Sequence, residues 1–121
     1  MGTKKNTIEM AVYERQAEIC QALSHPIRLL ILDLVQEKER TCSELVEFLD
    51  LPKANITQHM NVLKKAGILA ERREGTFKYH RLALPQIKEA CLFIRNVLLH
   101  QTTNQKESKA QLIRSIKRGL K

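Results

Sequence analysis

Between Lys53 and Lys65, amide, hydroxyl and basic side chains recur at spacings of three and four: Asn55, Gln58 and Asn61, with Lys53, Thr57 and Lys64 around them. At about 100° per helical residue, Ala54, Asn55, Gln58, Asn61 and Lys65 point outward together, with Thr57 and Lys64 on the flank. An amide offers a donor beside an acceptor and so matches the edge of adenine in a major groove; hydroxyl and basic groups hold phosphates. A merely solvated helix face has a similar composition, so this helix alone leaves both readings open. A second basic group, Arg72, Arg73, Thr76 and Lys78, follows a few residues on.

The other side chains with chemical potential are three cysteines and four histidines. A Zn²⁺ site needs about four nitrogen or sulfur ligands, and no local cluster supplies them. His25 sits at a helix start, where capping or packing is expected. His59 lies between the inner and outer faces of its helix and suits packing or a phosphate contact. His80 ends a strand-like run, and His100 stands alone. An odd cysteine count with no Cys-x-x-Cys argues against a disulfide framework and fits a reducing cytoplasm. There is no Gly-rich phosphate loop, nucleophile elbow or pair of carboxylates set for catalysis, so no enzyme is expected.

These side chains need elements to hold them. Thr41 and Glu44 have capping-box spacing, and Leu45, Phe48 and Leu49 give the helix they open one apolar side. Asp50-Leu51-Pro52 breaks it, because proline lacks a donor and restrains its neighbour. Ile56, Met60 and Leu63 resume the helical pattern, and Gly67 supplies a left-handed stop. Two helices around so short a break predict a helix-turn-helix. Ile68–Arg73 and Phe77–Leu82 are strand-like runs around Glu74-Gly75-Thr76, which predicts a hairpin. A basic hairpin directly after such a helix is the layout of a winged helix-turn-helix.

The blocks ALSHPIRLLILDLV, CSELVEFLDLPKANITQHMNVLKKAGIL and ERREGTFKYHRLA resemble those of the ArsR/SmtB family of bacterial transcriptional repressors. The resemblance spans roughly residues 17 to 100. It implies a mainly α fold with a small β-hairpin (α+β), dimerising through its first and last helices, and a double-stranded DNA operator as partner. It also implies Asn55, Gln58 and Asn61 as base readers. Lys53, Thr57, Lys64, Arg72, Arg73, Thr76 and Lys78 would then meet phosphates or the adjacent minor groove.

Many members of that family sense metals, but the two familiar ligand patterns are missing. The first position reads Thr41-Cys42-Ser43-Glu44, with one cysteine rather than two, and the helix from Pro85 to His100 has no Asp and no internal His. No cofactor is therefore expected, although a metal or metalloid at cysteine is compatible with the sequence. Cys20, Cys42 and Cys91 carry two readings: small packing residues, or thiols that sense a metalloid, an oxidant or reactive sulfur. The alternative to an effector-released repressor is a ligand-independent winged-helix module for protein interaction or anti-silencing.

The rest of the chain frames this unit. Ile8, Val12, Ile19 and Leu23 predict one face of a first helix, about residues 7 to 23. Ser24 is the expected cap of the next, whose core stripe is Ile27, Leu30, Ile31, Leu34 and Val35. Glu37-Lys38-Glu39-Arg40 reads as a solvated connector. After Leu84-Pro85, Ile87, Ala90, Cys91, Ile94, Val97 and Leu98 share a face, broadened by Leu92, Phe93 and Leu99, which is more apolar surface than a small domain needs. Residues 1–104 are expected to form the DNA-binding and dimerisation domain, and 105–121 a basic amphipathic tail, with a capping-box match at Ser108 and Gln111.

The net charge of +8 suggests a polyanionic partner. Its distribution is more telling: residues 1–50 carry a net −3, whereas residues 51–82, with seven basic and two acidic side chains, carry +5. No apolar run is long enough for a membrane span, and MGTKKNT lacks the apolar core of a secretory signal.

Overall fold

In the computed structural model, which describes residues 3–102 and 114, the order is α1 (Thr3–Leu23), α2 (Pro26–Glu37), α3 (Cys42–Leu49), α4 (Lys53–Lys65), β1 (Leu69–Glu74), β2 (Phe77–Leu82) and α5 (Gln86–Thr102). The capping box forms as the sequence predicts: Thr41 Oγ1 accepts the Glu44 N–H at 3.2 Å, and Glu44 Oε1 accepts the Thr41 N–H at 3.2 Å. α3 ends at Asp50, whose left-handed φ of 53° closes the turn with a bond from its N–H to the Val46 carbonyl. Aspartate tolerates that region better than most side chains. Gly67, at φ 79°, ends the helical segment after α4.

The core gathers Ile27, Ile31, Leu32 and Val35 of α2, Leu45 and Leu49 of α3, Ile56, Met60 and Leu63 of α4, and Ile68 with Leu69 at the start of the hairpin. Leu32 joins the stripe predicted for α2, while Leu30 and Leu34 are only half-buried. β1 and β2 pair antiparallel from Leu69↔Leu82 to Glu74↔Phe77, leaving Gly75-Thr76 as a two-residue turn. Gly75 has φ 62° and Thr76 is not left-handed, the pattern of a type II′ hairpin.

Four expectations change. The cap of α2 is His25 rather than Ser24: proline at position 26 forces the preceding residue into extended backbone, the conformation an N-cap needs, and the His25 side chain accepts the Ile27 N–H. The face predicted for α1 is divided. Ile19 and Leu23 pack on the core, but Val12 is 62 % exposed beside exposed Met10 and Tyr13, since only the C-terminal part of α1 reaches α2 and α4. The Ile8 side chain, the tail boundary at 104/105 and the Ser108–Gln111 cap lie outside the described residues.

The third change concerns the connector 37–40, which is not simply solvated. Arg40 is 6 % exposed, and its backbone pairs with His80 in both directions, at 3.1 and 2.8 Å. Its guanidinium lies 4.7 Å from the centre of the Phe48 ring, and its Nε donates to the Leu34 carbonyl at 3.0 Å. Phe48, predicted for the apolar side of α3, is itself 54 % exposed and serves as the platform for this arginine. The connector thus anchors the base of the hairpin.

α5 has two faces rather than one. Ile87, Cys91, Arg95 and Leu99, one turn apart, are half-buried against the protomer. Arg95 forms a two-pronged ion pair with Asp33 of α2, with both contacts at 3.0 Å. Phe93, Ile94, Val97 and Leu98 face outward at 72, 67, 50 and 41 % exposure.

A candidate nucleic-acid interface

Because Ile56, Met60 and Leu63 hold α4 to the core, its opposite side is left in solvent. Lys53, Ala54, Asn55, Gln58, Asn61 and Lys65 are exposed, and Thr57 and Lys64 are half-buried on the flank. Lys53, Ala54, Thr57, Gln58, Asn61, Val62 and Lys65 line an open trough along the helix. Thr57 Oγ1 stands 3.8 Å from the Cys42 sulfur, so that thiol lies at the seam between α3 and α4.

Strand alternation sorts the hairpin residues into two faces. Glu71, Arg73, Lys78 and His80 share the face turned to α4, fixed there by the Lys64 Nζ–Glu71 Oε1 ion pair at 3.0 Å. Arg73 and Lys78 are cross-strand partners, and like charges placed opposite one another repel. An anion lying across both relieves that repulsion. At the base of this face, buried His80 sits with Nδ1 3.2 Å from the Arg40 carbonyl oxygen and Nε2 3.5 Å from Glu71.

Arg72, grouped with the other basic residues by sequence, occupies the opposite face. Its guanidinium binds Glu39 at 2.8 Å and Glu74 at 2.8 Å, and stacks over Tyr79 at 4.8 Å. The Arg72 hydrogen bonds hold the Glu39 carboxyl below its usual range, and Lys64 does the same for Glu71. Among the described residues, Lys53, Lys65, Arg73 and Lys78 form no ion pair, and Thr76 stands exposed at the hairpin tip. One continuous surface therefore presents amides and hydroxyls at its centre and unneutralised cations at its edges.

The cysteines are dispersed in environment. Cys20 is exposed; Cys42 and Cys91 are half-buried. Burial pushes the Cys91 thiol up, and Asp33 adds to this against the opposing effect of Arg95. Among the described residues, no three His, Cys, Asp or Glu side chains group to hold a metal ion, and no helix is long and apolar enough to cross a membrane.

Sequence reasoning missed the pairings distant in the chain: Arg40 with His80, Asp33 with Arg95, and a cluster in which Arg28 lies 3.3 Å from His59, whose ring meets that of His25 at a tilt. In that cluster, burial and then Arg28 lower the pKa of His25; burial, then His25 and Arg28, lower that of His59. A folded value below the reference 6.5 means that protons favour the unfolded chain. Stability from this source is complete above about pH 6.5 and is lost as pH falls through the lowered values. Thermal melts should be level at neutral pH and decline on acidification, less steeply for His59→Phe; an equal acid decline in that variant would remove the histidines as its cause.

A helix-turn-helix domain family matches residues 23–72. The HTH-type transcriptional regulator MJ1325 of Methanocaldococcus jannaschii is 40 % identical over 81 residues, covering 66 % of this chain and 91 % of that one. The regulator Rv0081 of Mycobacterium tuberculosis is 36 % identical over 88 residues, 72 % of this chain and 77 % of that one. Its crystal structure superposes with a TM-score of 0.70 and 33 % identity, covering 79 % and 97 % of the two chains. The solution structure of the homodimeric winged helix-turn-helix DNA-binding domain Mb0332 of Mycobacterium bovis, described as a possible ArsR-family regulator, gives a TM-score of 0.73 at 24 % identity, covering 83 % and 93 %.

Proposed function

Since the chain belongs to the ArsR/SmtB family of winged helix-turn-helix transcriptional regulators, we propose that it acts as a homodimeric repressor on a pseudo-palindromic DNA operator. The observation that carries this reading is the outward face of α4, where Asn55, Gln58 and Asn61 stand exposed and the latter two line an open trough edged by Lys53 and Lys65. These three amides read bases. Lys53, Thr57, Thr76, Arg73 and Lys78 hold phosphates or the adjacent minor groove, while Lys64 and Arg72, already paired with carboxylates, set the pitch of the hairpin. The outer apolar face of α5, with exposed Met10, Val12 and Tyr13 of α1, supports dimerisation through these helices. Two recognition helices then enter successive major grooves, about one turn apart.

Gln58→Ala should lower affinity for the operator by about 1–3 kcal/mol and leave random DNA nearly unaffected, as expected for a lost adenine pair. Arg73→Ala should weaken both alike. Equal losses on both duplexes for Gln58→Ala would remove it from base reading. A wild type that retards no duplex, including its own upstream region, would favour the protein-interaction module instead.

Release by an effector is assigned to Cys42 before Cys91. Cys42 touches Thr57 of the recognition helix, whereas burial keeps the Cys91 thiol protonated and therefore less nucleophilic. A polysulfide, peroxide or arsenite should release the wild type from operator and leave Cys42→Ser bound. Release of Cys42→Ser and a Cys42→Ser/Cys91→Ser double variant as readily as the wild type would exclude both thiols.

A further inference from the structure

His25 and His59 form a contact that the roles above do not use. His25 caps α2; His59 lies on α4 one turn after Asn55, on the flank turned away from Lys64 and the hairpin. Their ring centroids are 4.2 Å apart with the planes tilted by 46°. Nδ1 of His25 accepts the Ile27 N–H at 3.1 Å, and Nδ1 of His59 lies 3.3 Å from Nη1 of Arg28. A backbone amide and a guanidinium can only donate, so both Nδ1 atoms are acceptors. In the neutral rings the proton must then sit on Nε2.

Two N–H donors therefore stand on adjacent, half-buried rings, and among the described residues neither Nε2 has a hydrogen-bond partner. This chemistry suits an oxyanion. It does not suit a metal ion, because coordination through Nε2 requires loss of that proton while Nδ1 is held by a donor. Arg28 stands behind the pair, held by the carbonyl oxygens of Ala22 at 2.6 Å and Gln21 at 3.3 Å, and adds positive charge.

A helix lying in a major groove has a phosphate strand on each side. The cations of the hairpin lie on one side of α4, and the histidine pair lies on the other. We propose that His25 and His59 donate their Nε2–H groups to a phosphate of the DNA backbone on the flank away from the hairpin, with Arg28 orienting His59. This rests on the DNA-binding reading of α4. The contact is between neutral donors and an anion, so it adds affinity without adding to the count of cations that displace counterions. It is consequently silent in the salt dependence to which lysine and arginine contribute.

The test uses the full chain and a 40-base-pair duplex of random sequence, since a phosphate contact is indifferent to base order. His59→Phe keeps a ring and removes its donor. His25→Ser keeps a capping oxygen and removes the ring with its Nε2–H. The double variant is expected to bind about tenfold more weakly, with the slope of log K against log salt unchanged. Wild-type affinity in the double variant, or a loss accompanied by a shallower slope, overturns the proposal. Long-range ¹H–¹⁵N spectra of the wild-type imidazoles decide the matter even where a variant folds poorly. Both rings should show the Nε2–H tautomer, and both Nε2 signals should shift on adding duplex. Binding of duplex with unmoved Nε2 signals overturns this contact alone, and displacement of the Nε2 protons by Zn²⁺ overturns the oxyanion assignment. A wild type without affinity for any duplex overturns the DNA-binding reading as well.

Discussion

Raising salt from about 50 to about 200 mM should weaken wild-type binding to duplex DNA by about four orders of magnitude. Lys53 and Lys65 of α4 and Arg73 and Lys78 of the hairpin have no carboxylate partner among the described residues, so the proposed dimer offers about eight cations to phosphates, and log K should fall with log salt at a slope of about −7. The structure makes this more discriminating than a statement about net charge. Arg73→Ala removes two unneutralised cations per dimer and should reduce the slope by about 2. Arg72→Ala removes a guanidinium already bonded to Glu39 and Glu74, so it should leave the slope nearly unchanged while loosening the hairpin. Equal changes of slope for the two variants would contradict the division of the hairpin into a DNA face and a bracing face. A wild-type slope near zero would contradict DNA binding altogether.

Ile94→Asp should convert the proposed dimer to a folded monomer. Ile94 is 67 % exposed within the protomer, between Phe93 and Val97, so a carboxylate there costs the isolated chain little. In a dimer built on α5, the same carboxylate is buried without a partner. Sedimentation should show a monomer with an unchanged circular dichroism spectrum. Operator affinity should fall on the order of 10²-fold or more, because the second half-site is no longer tethered to the first. An intact dimer would place the interface elsewhere, and an unfolded variant would show that Ile94 belongs to the protomer's own core. Ile31→Asp is the useful contrast. Ile31 is fully buried, and its replacement should unfold the chain.

What was legible in the sequence shares one physical property: it is local. The Thr41–Glu44 cap, the Gly67 stop, the Gly75-Thr76 turn and the two faces of α4 each depend on residues within about four positions, where spacing translates directly into geometry. The outward face of α4 was therefore readable in outline. Apart from the cap of α2, where His25 took the place expected of Ser24, the pairings the sequence did not show join residues 31 to 62 apart. A charged run such as 37–40 gives no sign that Arg40 will find Phe48 and His80, because a basic side chain can bury its stem while its head is satisfied from several directions. Arg72 looked like Arg73 for the same reason: composition records the charge, and only strand alternation records the face. The apolar excess of α5 was visible, but its division between Arg95 inside and Ile94 outside depended on where Asp33 stood.

α2 is clamped from two sides. Arg95 of α5 grips it at Asp33, while His59 of α4 meets it at Arg28 and His25. Arg28 and Asp33 are five residues apart, about 7.5 Å along the helix axis. A rod held at two points so close together has little torsional play of its own. α2 is thus a common mount, to which the outward-facing α5 and α4 are both fixed within about two helical turns. In a dimer built on α5, a rolling of one protomer against its partner is therefore expected to tilt the helix that carries Asn55 and Gln58. The angle at the interface and the aim of the amides then become a single mechanical variable.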